Sequence, residues 1–89
     1  MEYNVIAKMR VMPASVETDL EKVNTEISKA ASKYGKLHST EVKPIAFGLS
    51  AVEATFLMED KSGGMDELEA EIRKINGVGE VELLEASRI

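Results

Sequence analysis

The apolar residues of this chain change their repeat length several times, in a definite order. Tyr3, Val5, Ala7, Met9 and Val11 alternate with Asn4, Lys8 and Arg10. A repeat of two puts them on one face of a half-buried strand. Pro13 closes that strand, because proline has no N–H to give to a ladder. The repeat then lengthens. Leu20, Val23, Ile27, Ala30, Ala31 and Tyr34 recur at three and four, which is one face of a helix. Thr18 and Glu21 have capping-box spacing at its start, and Gly35 is the expected stop. Glu17, Asp19 and Glu21 near the beginning, with Lys29 and Lys33 near the end, suit the helix dipole.

Residues 37–42 return to a strand, a polar one carrying His38, Ser39, Thr40 and Glu41, as edge strands often are. Residues 49–58 form a stronger strand, with Val52, Ala54, Phe56 and Met58 on one face and Ala51, Glu53 and Thr55 on the other. Residues 59–64, E-D-K-S-G-G, are a turn by composition. Met65, Leu68, Ile72 and Ile75 mark a second helix, on which Glu69 and Arg73 lie one turn apart. Asn76 and Gly77 end it. Val81 and Leu83, interleaved with Glu80, Glu82 and Glu85, form the last strand.

The order β-α-β-β-α-β, held within 89 residues, is two β-α-β halves with right-handed crossovers. It predicts an α+β, ferredoxin-like sandwich: a four-stranded antiparallel sheet with two helices on one face. The second and fourth strands fall at its edges. Residues 1–89 are read as a single domain.

That fold carries many functions, so the function must be sought in particular residues. Net charge is −5, from 16 acidic and 11 basic residues, which disfavours nucleic acid or an anionic membrane as a direct partner. Cysteine is absent, which removes a C-x-x-C metal loop, disulfides and a thiolate nucleophile. No apolar run approaches the ~20 residues of a membrane span, and M-E-Y-N-V-I-A-K-M-R does not read as a signal peptide. The chain is expected in the cytoplasm. The segment 12–16, M-P-A-S-V, lacks the Gly and Arg of a phosphate loop. His38, the sole histidine, has no nucleophile pattern beside it and reads as an edge-strand surface residue. Gly63 and Gly64 precede a helix, but the carboxylates around them repel an anion. The methionines read as core filler. No catalytic constellation, cofactor site or metal site is expected.

The segment 43–49, K-P-I-A-F-G-L, is not explained by folding alone. It sets Phe47, one of four aromatics, between a Pro and a Gly. Pro44 and Gly48 stiffen such a loop. Two orientations stay open for Phe47: it folds back over the end of a small core, or it points outward at a partner. Arg88, beside the C-terminal Ile89, is either a solvated terminal residue or a contact.

V-M-P at 11–13, P-I-A-F-G-L at 44–49, M-E-D-K-S-G-G at 58–64 and S-R-I at 87–89 occur in an order and spacing that resembles the archaeal elongation factor 1-beta family. The resemblance runs nearly the whole chain. It implies a guanine-nucleotide exchange factor, not an enzyme with covalent catalysis, whose partner is the GTPase elongation factor 1-alpha. It also implies that Phe47 docks on the GTPase and that the penultimate cation reaches toward its magnesium and phosphate region. The eukaryotic counterparts typically have Lys there. This chain has Arg88, which shares the charge but not the geometry. Pro44, Ile45, Phe47, Gly48, Arg88 and Ile89 make up the expected partner-binding set, in a monomer or weak dimer. A small-molecule-binding regulatory module of the ACT type is the alternative function on this fold. A plain dimeric structural domain is a third.

Overall fold

A computed structural model describes residues 3–59 and 64–88 of the chain. Among these, the elements run β1 (Val5–Pro13), α1 (Leu20–Ala31), β2 (Gly35–Pro44), β3 (Ser50–Met58), α2 (Gly64–Arg73) and β4 (Val78–Arg88). The sheet order is β2-β3-β1-β4, with every neighbouring pair antiparallel. Each β-α-β half is therefore split by a strand of the other half, which is the ferredoxin-like arrangement expected from the repeats. The two polar strands, β2 and β4, hold the edges.

The repeat of two fixes which side chains meet the helices. Ala7, Met9 and Val11 of β1 lie opposite Phe56, Ala54 and Val52 of β3 and share their face. All six are buried. Val23, Ile27, Ala30 and Ala31 of α1 and Leu68 and Ile72 of α2 cover them together on that one face, and Val81 of β4 completes the layer. Met65 and Ile75 pack at its rim.

Local details differ from the sequence expectation in physically simple ways. The N-cap of α1 is Asp19, not Thr18: Oδ1 of Asp19 accepts the N–H of Glu21 at 3.0 Å and of Lys22 at 3.4 Å. A carboxylate at that position also suits the helix dipole. The Thr18 hydroxyl is engaged elsewhere, accepting the Ser15 N–H at 3.3 Å and donating to the Gly77 carbonyl at 3.5 Å. Gly35 is not the stop of α1, which ends at Ala31 with Ser32 as its C-cap. Gly35 instead opens β2, where a Cβ would run into the Leu57 carbonyl oxygen. Gly77, at φ 97°, does turn the chain between α2 and β4.

β1 begins at Val5, so Tyr3 lies outside it, and β2 extends beyond residues 37–42 at both ends. The second helix's Glu69–Arg73 pair forms at 3.7 Å. Residues 60–63 of the expected turn, and with them Gly63 and most of the M-E-D-K-S-G-G motif, lie outside the described residues.

Candidate functional site

β2 and β3 are joined at one end of the sheet by the segment that contains Phe47. The ladder closes with Pro44 opposite Ser50. Beyond it the Ile45 N–H donates to the Leu49 carbonyl at 2.8 Å, and the Leu49 N–H to the Ala46 carbonyl at 3.0 Å. The inner turn is thus Ala46-Phe47-Gly48-Leu49. Its central residues have φ 57° and 78°, the positive signs that a type I′ hairpin turn requires.

Glycine enters that region without strain and Phe does not. Phe47 is, among the described residues, the one non-glycine residue at positive φ. Its side chain gains nothing from the core in return, being 95% exposed. Of the two orientations left open by the sequence, the outward one is the one observed.

The turn is not alone at this end. The loop after β1 places Val16 beside it, 64% exposed. Cγ1 of Val16 lies 3.9 Å from where a Cβ on Gly48 would stand. That loop is tied down: the Ala14 N–H reaches the Gly77 carbonyl at 2.8 Å, and the Glu17 N–H reaches Ser15 Oγ at 3.3 Å. Ile45 and Val42 add further exposed apolar surface. The cleft between loop and hairpin holds about 90 Å³. Val16 and Val42 are not among the residues singled out from the sequence. Val16 carried the same signal as Phe47, an apolar residue within a loop, while Val42 looked like an ordinary strand position.

Behind the hairpin, the sheet face turned away from the helices carries a charge cluster. Glu53 lies on it yet is only 7% exposed. Its carboxylate sits 3.4 Å from Lys8 Nζ, 3.6 Å from an Arg10 guanidinium nitrogen and 3.7 Å from Lys43 Nζ. Arg10 also faces Glu82 at 3.6 Å, and Lys43 faces Glu41 at 3.6 Å. Desolvation pushes the Glu53 pKa up, but Lys43, Lys8 and Arg10 together outweigh it and hold the carboxyl below the usual glutamate range. The cluster joins β2, β3, β1 and β4 at the base of the hairpin. Its cations are matched by carboxylates, so it is a brace and not an acid–base pair.

Arg88 lies far from Phe47. It sits within β4 opposite Val5, at the other end of β1 from the hairpin, so it is not a frayed terminus. The nine residues of β1 span roughly 30 Å at about 3.4 Å each. The structure brings Pro44, Ile45, Phe47 and Gly48 together and leaves Arg88 at the opposite end. Ile89 lies outside the described residues. His38 is exposed in edge strand β2. Among the described residues no group of three or more His, Cys, Asp or Glu side chains could hold a metal ion, and no helix is long and apolar enough to cross a membrane.

The family described as the EF-1 guanine nucleotide exchange domain matches residues 6–89. Elongation factor 1-beta of Methanosarcina acetivorans is 40% identical over 87 residues, 97% of this chain and 98% of that protein. Its counterpart in Methanosarcina mazei is 39% identical over 87 residues, with the same shares covered. That of Methanothermobacter thermautotrophicus is 34% identical over 86 residues, 97% of each. Among solved structures, the C-terminal domain of the MgtC protein from Mycobacterium tuberculosis matches with a TM-score of 0.70 at 20% identity, over 99% of this chain and 90% of that one. The ACT domain of the GTP pyrophosphokinase of Chlorobium tepidum matches with a TM-score of 0.64 at 18% identity, over 91% and 99%. At such identities the two structures speak to the fold alone.

Proposed function

The chain belongs to the EF-1 guanine nucleotide exchange family, and from that membership we propose how its particular residues work. It is a translation elongation factor that promotes guanine-nucleotide exchange. Its partner in this reading is elongation factor 1-alpha, which it returns to the GTP-bound form that carries aminoacyl-tRNA. It acts in the cytoplasm, as one domain, and as a monomer or weak dimer.

An exchange factor of this kind forms no covalent bond. It binds the nucleotide-free GTPase more tightly than the GDP-bound form, and by linkage GDP then binds the complex more weakly. A hundredfold faster release needs a barrier lower by about 2.7 kcal/mol. Phe47 is the anchor, supported by Pro44, Ile45 and Gly48, and a buried aromatic is the residue type that often carries such an interface. Arg88, with Ile89 beyond it, brings a cation toward the magnesium and phosphate region of the bound nucleotide.

The observation that supports this reading best is the outward Phe47, held in a conformation that costs free energy and buries nothing. Strain at an exposed aromatic points to a use outside the chain. The ACT-type alternative has only the shared fold behind it.

The test is GDP release from elongation factor 1-alpha of the same source, loaded with fluorescent GDP and chased with unlabelled nucleotide. Release should accelerate at substoichiometric amounts of this protein. Unchanged release from a GTPase shown to be active refutes the reading.

A further inference from the structure

We propose that Val16, on the loop between β1 and α1, is a second contact of the docking surface and enters the same GTPase partner alongside Phe47. The inference rests on the docking role proposed for Phe47.

Three observations carry it. Val16 is the most exposed large aliphatic side chain among the described residues, although the loop that bears it is held by hydrogen bonds from Ala14, Ser15, Glu17 and Thr18. A tethered loop that presents a β-branched residue to water loses little order when a partner covers it. Val16 also adjoins the Phe47 turn, with its Cγ1 in reach of the Gly48 position. Ile45 is exposed in the same hairpin. The aromatic knob and the valine thus stand on two adjoining chain segments at one end of the sheet.

The shape of this surface argues for a different protein over a second copy of this chain. Phe47 is a knob and needs a hole. The cleft beside Val16, about 90 Å³, is well below the ~300 Å³ at which pockets begin to take ligands. The trough between α1 and α2 is larger, about 850 Å³, but charged side chains of both signs line it, Asp19, Glu21, Glu26 and Glu71 with Lys22 and Lys74. A phenyl ring seated there would strip water from these charges and give them no partner in return. The surface therefore fits a partner that supplies its own apolar pocket.

The test measures GDP release from the loaded GTPase as a function of the concentration of this protein, for Val16→Asp, Val16→Thr and Phe47→Ala. Val16→Asp should raise the half-saturating concentration about tenfold, the size of effect typical of a burial-dependent contact, and leave the maximal rate unchanged. Val16→Thr, which keeps the shape, should give a smaller rise. Thermal midpoints should stay near that of the parent, because the side chain is mostly solvated. If Phe47→Ala raises the half-saturating concentration and Val16→Asp does not, the Val16 contact is wrong and the Phe47 reading stands. If neither substitution moves it, both fail. If light scattering finds dimers that Val16→Asp disperses, the surface serves a second copy and the proposal is overturned.

Discussion

Phe47 holds a left-handed backbone conformation, at φ 57°, that costs a residue with a Cβ about 1–2 kcal/mol. Burial offsets none of it, since nearly the whole side chain is in water. Folding and the docking role proposed for Phe47 therefore make opposite demands on this position. Asn tolerates the same backbone, because its short side chain hydrogen-bonds locally. Phe47→Asn should accordingly stabilise the free protein by about 1 kcal/mol, read as a higher urea midpoint at unchanged slope. It should also raise the concentration needed for half-maximal GDP release about tenfold or more. A variant that loses stability together with docking would mean that Phe47 serves the fold. The sequence exposed the oddity here, an aromatic between Pro and Gly, but not its direction. Direction depends on the turn type, and the turn type depends on where the β2–β3 ladder ends.

At the scale of elements, the alternation of repeats was enough to place every strand and helix, because a one-residue slip would have turned a whole apolar face into water. What escaped were choices between neighbours of similar chemistry. Thr18 and Asp19 can both cap a helix, and the loop's need for the Thr18 hydroxyl decided the matter. Gly35 looked like a helix stop and is a point of close approach to the Leu57 carbonyl, which only the pairing of β2 with β3 reveals. Glu53 was legible as a residue of the face opposite Phe56, but its companions Lys8, Arg10 and Lys43 come from two other strands. This brace has a pH signature. Because the folded-state pKa of Glu53 is lowered, its contribution is complete above the unfolded-state value and is lost as pH falls through the folded one. Stability should therefore decline as pH falls below the ordinary glutamate range, and Glu53→Gln should flatten that limb while lowering stability at neutral pH. Urea midpoints across the range check it, and an acid limb unchanged by the substitution would show that other carboxylates govern it.

The whole molecule is elongated, 38 Å by 20 Å by 17 Å, with the hairpin of Phe47 at one end of β1 and Arg88 at the other. The motifs in the sequence single out both ends. They do not reveal the separation, which follows from strand order and register and from nothing local. A partner that meets both residues must present two sites roughly 30 Å apart. Between them lies a sheet whose central strands are buried on the helix side and braced by the Glu53 cluster on the other. Sites this distant without shared contacts usually contribute additively, to within about 0.5 kcal/mol. Phe47→Ala should act mainly on the half-saturating concentration, and removal of Arg88 and Ile89 mainly on the maximal rate of release. In the doubly altered protein the two fold-changes in second-order exchange efficiency should multiply. A double-mutant cycle on the GDP-release assay measures this directly. A coupling well above 0.5 kcal/mol would mean that seating one end governs the other, and the picture of two independent contacts on a stiff sheet would have to be given up.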